Sequence, residues 1–231
     1  MGAFALMALL SLPNIAHAQE AEFRLLKLDG SHVRWAGTVN GNTVVTYSVL
    51  DRARDYPGTR NCGSMDSIAE LGDRWKIREE VFRRELRKAF DLWERAANLK
   101  FIEVADPAEA GIVIGAQRVP IGRAFTDVAF KLGDNPFREI TRSLICLNPL
   151  QPWKIGFDGN RSVYDLRYTL AHEIGHAIGL DHPAVSHGQV MSFRYQEGLQ
   201  DLQGGDITGA LRLYGGVATL EQPMLGDDKG K

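Results

Sequence analysis

Apolar residues recur at helical spacing in two long parts of the chain. Between 77 and 97 they return every three or four positions with charged residues between them, which predicts one long amphipathic helix. A second apolar stretch, over 166–180, follows Ser162 and Asp165, which match the capping pattern S-x-x-D. This stretch predicts a buried helix.

A third helix is predicted near the end of the chain. The range 206–214 places Ile207, Leu211 and Tyr214 on one apolar face, and a glycine follows it. The remaining residues, 216–231, are predicted to form a flexible tail.

Strands are predicted before the first of these helices and between the first and the second. The β-branched run 43–50 predicts a strand, and 51–75 predicts a long loop. Further strand candidates are 100–104, 111–115, 124–130 and 140–146. Together these elements predict an α+β domain over 43–215, in which a mixed, twisted sheet of about five strands is backed by the long helix. Residues 19–42 are then an N-terminal extension.

The first 18 residues have the organisation of an export signal. They contain no charged side chain, and the apolar stretch 3–12 leads to an Ala-His-Ala motif at 16–18. We therefore expect cleavage after Ala18 and a secreted or periplasmic protein, although a buried N-terminal helix remains an alternative. No stretch approaches the roughly 20 apolar residues that span a bilayer, so no membrane anchor is expected.

Composition narrows the function classes without choosing one. The chain has 231 residues, 44% of them hydrophobic and 24% charged, which is typical of globular domains rather than disordered or collagen-like chains. Its net charge of -2 provides no broad positive field, so nucleic acid is not an expected partner. A monomer is expected.

The two cysteines, Cys62 and Cys146, are too few for a disulfide scaffold. In an oxidising compartment the two are expected to pair with each other, closing a loop of about 80 residues that stabilises the fold by up to about 4 kcal/mol. A zinc ligand or a free buried thiol is the alternative for each, but neither cysteine lies in a C-x-x-C motif.

The candidate chemistry lies in the second predicted helix. His172 and His176 are four residues apart and so lie on one helix face, where both rings can bind a single metal ion, with Glu173 beside them. Gly179 lets the chain leave the helix, and His182 can then return as a third ligand. Three imidazoles leave a fourth zinc position open to water.

The pattern H-E-x-x-H-x-x-G-x-x-H is the metzincin signature, and Met191 provides the methionine turn that accompanies it. Within that clan the chain resembles the matrixins, zinc endopeptidases of the metzincin fold. The resemblance is carried by 164–166 leading into 171–176, by the nine-residue step from His182 to Met191, and by 206–215, which is similar to the matrixin closing helix.

The resemblance implies one catalytic Zn²⁺ and a protein or peptide substrate held along an edge strand near 123–130. Glu173 would be the general base toward the attacking water. Tyr168, Phe193 and Tyr195 would line the pocket for the residue after the scissile bond, although the family usually has proline at the position of Phe193. Plain packing is the alternative role for the two tyrosines.

The chain also departs from the family pattern. Matrixins commonly hold a second, structural zinc, but only His32 and His187 remain beyond the predicted signal and the three ligands. The family's acidic calcium-binding run is missing, so calcium stays open. The three aspartates Asp127, Asp134 and Asp158 are expected to be turn residues.

The motif 60–63 superficially resembles the family's cysteine switch, but it follows the first strand rather than preceding the domain. A disulfide is therefore expected there instead of a latency thiol.

Three functions remain compatible with these residues. An exported zinc endopeptidase is the leading hypothesis. An exported zinc-containing binding protein has no need of the base Glu173, while a hydrolase of non-peptide amides would use the same ligands.

Overall fold

Strands dominate the first two thirds of the chain, and helices position the site. The structure is a computed structural model that describes residues 22–133, 136–184 and 188–216. The predicted signal, Asp134, His187 and the tail after Gly216 lie outside these residues. The helices are α1 (Ala69–Trp75), α2 (Glu79–Ala96), α3 (Leu166–Ala177) and α4 (Gly204–Tyr214).

The strands differ greatly in length. The long ones are β5 (Asn42–Val49), β8 (Leu99–Glu103), β9 (Ile112–Gln117), β10 (Ala124–Phe130) and β11 (Phe137–Leu147). The short ones are β1 (Arg24–Leu25), β2 (Lys27–Leu28), β3 (Ser31–Arg34), β4 (Thr38–Val39), β6 (Arg54–Asp55), β7 (Ser64–Asp66), β12 (Trp153–Lys154), β13 (Tyr164–Asp165) and β14 (Leu180–Asp181).

The five long strands form the centre of a mixed sheet that has ten strands among the described residues, about five more than the sequence predicts, because short strands pair with the long ones. The order of the long strands is β8-β5-β9-β11-β10, with the first four parallel and β10 antiparallel to β11. Among the described strands, β10 pairs only with β11, so its other side is an open edge. Strand β11 begins three residues before the predicted 140 because its first residues pair with β3, from Phe137 opposite His32 onward.

Residues 22–42, the described part of the segment expected as an N-terminal extension, are tied closely to the domain. Strand β3 joins the sheet through β11, and β1 pairs with β14 directly after α3. The backbone N–H of Leu26 also donates to the carbonyl of Gly179 at 2.8 Å. The N-terminal segment therefore braces the end of the helix that carries the histidines.

The prediction of a long loop over 51–75 is wrong in part. This stretch contains the hairpin of β6 and β7 and the short helix α1, and β7 pairs with the end of β9. Strands of two or three residues are too short to show a period of two, so only their tertiary partners reveal them.

The helices begin and end where their caps dictate. Helix α3 is capped by Asp165, whose carboxylate accepts the N–H of Tyr168 at 2.7 Å, and not by Ser162. It ends at Ala177 rather than 180, because Gly179 has φ +101°. Trp93 of α2 donates its indole N–H to the carbonyl of Ala171, which fixes α2 against α3.

Helix α4 buries the predicted face in part: Tyr214 is buried and Ile207 packs against the core. Leu211 is 39% exposed, whereas the buried side chains are those of Asp206, Ala210, Leu213 and Tyr214. The buried face also includes Asp206, because its carboxylate accepts the backbone N–H groups of Val190 and Met191. A pattern of apolar residues cannot predict such a buried carboxylate.

The predicted disulfide is present. Cys62 and Cys146 are joined with a Cα–Cα distance of 5.7 Å, and both are fully buried in a small apolar cluster on the sheet face opposite α3. The bond links the segment before β7 to the end of β11. It therefore ties the β6–β7 segment to the strand that pairs with the open edge.

Removing this disulfide should destabilise the fold without touching the site. A Cys62→Ala/Cys146→Ala double variant is expected to lose about 4 kcal/mol of unfolding free energy, because the unfolded chain gains the entropy of an open loop. Urea denaturation with and without reductant measures it. The reductant should lower the unfolding midpoint of the wild type and leave that of the variant unchanged. Equal midpoints for the two proteins in the absence of reductant would contradict the expectation.

Candidate metal and catalytic site

Three imidazole nitrogens converge on one point at the C-terminal part of α3. The Nε2 atom of His172 lies 3.1 Å from that of His182 and 3.2 Å from that of His176, and the last two are 3.2 Å apart. In a tetrahedral zinc site with Zn–N bonds near 2.05 Å, the nitrogens stand about 3.3 Å apart. The three histidines therefore fit a zinc ion.

Backbone carbonyls set the orientation of two of these rings. The Nδ1–H of His172 donates to the carbonyl of Val190 at 2.7 Å, and that of His176 donates to the carbonyl of Leu180 at 2.9 Å. A carbonyl can only accept, so Nδ1 carries the proton in both rings. The Nε2 lone pairs are left free for a metal ion.

The imidazole rings of all three histidines stay neutral at physiological pH. Burial, followed by the neighbouring histidines, lowers the pKa of His172 well below its usual value. Burial also lowers the pKa of His176 to about 4 and shifts that of His182 downward. Neutral imidazole is the form that binds metal, so no proton has to be displaced near neutral pH.

Glu173 lies in the same cavity and is almost completely buried. The hydroxyl of Thr126, on the edge strand β10, lies 2.7 Å from its Oε2 and 3.0 Å from its backbone carbonyl. Burial raises the pKa of Glu173 to about 7, while the Thr126 hydrogen bond and the charge of Arg123 act in the opposite direction. The carboxyl is thus close to the pKa that suits a base at neutral pH.

The methionine turn packs beneath the histidines. A Cβ on Gly175 would overlap the sulfur of Met191, so the thioether lies directly against the helix backbone. The carboxylate of Asp206 accepts the N–H groups of Val190 at 2.8 Å and Met191 at 3.0 Å. Helix α4 therefore fixes the turn whose carbonyl orients His172.

A cavity of about 520 Å³ contains the histidines and extends toward the start of β10. Tyr168 and Tyr195 line it, and their rings also pack edge to face at a centroid distance of 4.9 Å. Phe193 is 74% exposed and its ring lies 5.2 Å from that of His182, at the mouth of the cavity rather than deep in its wall.

Arg123 gives this cavity a charge that the sequence did not suggest. Its guanidinium carbon lies 3.3 Å from the centre of the Tyr164 ring and 6.0 Å from that of Tyr195. The residue comes directly before β10, so the cavity's tyrosine-lined part lies at the beginning of the edge strand.

Sequence reasoning missed Asp206 as a site residue, and it included Thr126 and Arg123 only as members of the expected edge strand near 123–130, without a role for either side chain. Asp206 is the first residue of 206–215, the segment that resembles the matrixin closing helix, and this resemblance is a signal that could have indicated it. Nothing in the local pattern indicates Thr126, because its partner is 47 residues away in the chain.

The aspartates expected in turns behave differently from one another. Asp127 is in strand β10, where its carboxylate accepts the backbone N–H groups of Asn61 and Cys62 at 2.7 and 2.8 Å, so that expectation is wrong for it. Asp158 does form a turn contact with the N–H of Asn160. Within the described residues, the three histidines form the one group of metal-binding side chains that could hold an ion.

None of the helices in the described part of the chain combines the length and apolarity needed to cross a bilayer.

Three features define a metzincin-type catalytic domain. They are a mixed sheet with an open antiparallel edge, a helix that carries two of the three converging histidines, and a methionine turn beneath these histidines. The chain belongs to the matrixin family, whose model matches residues 69–215. The expected family and fold class are thereby confirmed.

The sequence similarity to curated relatives covers a little over half of the chain. It is 30% identical over 138 residues to Metalloendoproteinase 4-MMP of Arabidopsis thaliana, covering 58% of this chain and 40% of that protein. It is 29% identical over 153 residues to karilysin of Tannerella forsythia, covering 60% and 29%. Matrix metalloproteinase-23 of Rattus norvegicus is 27% identical over 147 residues, covering 59% and 38%. The matched region thus spans less than half the length of each of these relatives.

Proposed function

We propose that this protein is an exported zinc endopeptidase. The observation that carries the proposal is the convergence of three neutral imidazole nitrogens on one point in a cavity that also contains the buried carboxyl of Glu173. Family membership and a relative named as a metalloendoproteinase support the reaction class.

His172, His176 and His182 would hold the zinc. When bound in a three-histidine site, zinc acts as a Lewis acid toward a carbonyl and lowers the pKa of water to about 7. The backbone carbonyls of Val190 and Leu180 keep two of the rings in the ligating tautomer.

Glu173 performs the proton transfers. As a carboxylate it takes a proton from the attacking water, and it then delivers that proton to the amine that leaves when the C–N bond breaks. Its burial keeps bulk water away from the carboxyl, and Thr126 holds one oxygen so that the other remains for the reaction.

The open edge of β10 binds the substrate chain. An extended peptide can add to this edge through backbone hydrogen bonds, because β10 has a free side and borders the cavity. The side chain of the residue after the scissile bond then enters the part of the cavity that Tyr168 and Tyr195 line.

Export is supported by the predicted signal at 1–18 and by the buried disulfide. A disulfide of this kind persists in oxidising compartments. We therefore propose a secreted or periplasmic location.

The proposal is tested by incubating the zinc-loaded protein with unfolded casein and with quenched fluorescent peptides. Cleavage that a chelator stops and added zinc restores would support it. Folded, zinc-loaded protein that leaves all of these substrates intact would contradict it. Hydrolysis of small amides alone would favour the non-peptide hydrolase, and stoichiometric zinc without turnover would favour the binding protein.

Thr126 gives a milder prediction about catalysis. Thr126→Val keeps the shape of the side chain but removes the donor to Glu173, so kcat should fall about tenfold with little change in KM, because one oriented hydrogen bond is lost. Thr126→Ser should restore kcat. Steady-state kinetics on one peptide measure this; equal kcat for the valine and serine variants would show that the hydroxyl has no such role.

A further inference from the structure

A second cavity, of about 1030 Å³, continues from the catalytic one along the edge strand. The two share Leu26 and Thr126 in their linings. We name the second cavity the arginine groove; its lining includes the side chains of Arg54, Arg60 and Arg142 and those of Leu26 and Leu28.

The alternation of β10 brings one of its faces to the arginines. Thr126 points to α3, because its hydroxyl contacts Glu173, so Asp127 and Ala129 point to the opposite face. Arg142 of β11 lies directly opposite Ala129 in the ladder and shares that face. A peptide strand added to β10 would therefore present every second side chain to the arginine side.

Within the described part of the chain, none of the three arginines of the groove forms an ion pair. Its two acidic residues are already engaged. Asp55 pairs with Arg118 at 3.4 Å, and Asp127 accepts N–H groups from Asn61 and Cys62.

A buried hydroxyl lies beside two of these arginines. Tyr56 is 8% exposed, and its hydroxyl oxygen has no hydrogen-bond partner among the described residues. Tyr56, Arg54 and Arg142 all line the groove, and the positive charges of the two arginines oppose the rise that burial causes in the pKa of Tyr56.

The position of the groove sets which part of a substrate reaches it. The tyrosine-lined cavity for the residue after the scissile bond lies at the start of β10, next to Arg123, and Glu173 lies opposite Thr126. Residues that precede the scissile bond must then run along 127–130.

We propose that the arginine groove binds acidic side chains of the peptide substrate, at alternate positions on the N-terminal side of the scissile bond. This inference rests on the proposed peptidase function. Aspartate and glutamate carboxylates match guanidinium groups, with which they form two-point hydrogen bonds. Intervening side chains meet Leu26 and Leu28, so the groove favours peptides in which acidic and apolar residues alternate.

The test uses quenched peptides that differ only by glutamate or glutamine at each of the four positions before the cleaved bond. Wild-type protein should prefer glutamate by about tenfold in kcat/KM at alternate positions. The Arg54→Gln/Arg142→Gln double variant should reduce this ratio to about one. Arg78→Gln, a change at an exposed arginine outside both cavities, should keep the ratio of the wild type.

Two outcomes separate this inference from the proposed function. If the glutamine peptides are cleaved as fast as the glutamate peptides by the wild type, the groove has no acidic preference and the inference fails while the peptidase stands. If no peptide is cleaved, fluorescence anisotropy of the labelled pair decides. Tighter binding of the glutamate peptide that the double variant abolishes supports the groove, and equal binding overturns it.

Discussion

A Glu173→Gln variant is expected to fold, bind zinc and cleave peptides about a thousandfold more slowly than the wild type. Glutamine keeps the size of the side chain and an oxygen that can accept the hydrogen bond from Thr126. It cannot take a proton, and general base catalysis contributes about 10² to 10⁴ in rate. The loss should therefore appear in kcat/KM on quenched peptides, with zinc content and circular dichroism unchanged.

Glu85→Gln is the matched control for this experiment. Glu85 is also a buried glutamate, but it contacts Lys88 and Arg167 rather than the histidines. Its replacement should leave kcat/KM of the folded protein near the wild-type value. A Glu173→Gln variant with more than a tenth of the wild-type rate would show that another group removes the proton.

Local patterns predicted the parts of the site that depend on local geometry. His172 and His176 face the same way because they are four residues apart on one helix, and no tertiary information is needed for that. The long strands were likewise readable, because short stretches rich in apolar and β-branched residues are separated by Pro and Gly.

Contacts between distant segments could not be predicted in this way. Thr126 reaches Glu173 because an edge strand crosses the active-site helix, and Asp206 reaches the methionine turn because α4 packs behind it. Asp127 was misjudged for the same reason. An aspartate is typical of turns, yet here backbone N–H groups of a distant segment satisfy it within a strand.

The position of the third histidine ligand, His182, depends on how the chain leaves helix α3. The N–H of Gly179 donates to the carbonyl of His176 at 3.0 Å, its own carbonyl accepts from Leu26, and β14 then leads to His182. The segment is held on both sides, so the backbone at this glycine cannot relax without moving either the N-terminal strand or the third ligand.

Gly179→Ala is therefore expected to damage stability and metal binding together. A side chain at φ +101° is strained by about 1–3 kcal/mol, and a Cβ there would overlap the carbonyl oxygen of Val33. We expect a loss of about 4 kcal/mol in unfolding free energy, since packing collisions add to the strain. Zinc affinity should fall at least about tenfold, because His182 is displaced. Urea denaturation and competition with a zinc chelator measure the two effects.

Gly198→Ala separates strain from collision. Gly198 has nearly the same backbone angle, φ +102°, but nothing lies within 4 Å of a Cβ built on it. It should lose only the strain energy of about 1–3 kcal/mol and keep the zinc affinity of the wild type. If the two variants lose equal stability and both bind zinc normally, then the contact between Gly179 and Val33 does not position the third ligand. A loss of affinity confined to Gly179→Ala would instead show that the brace from the N-terminal strands is part of the metal site.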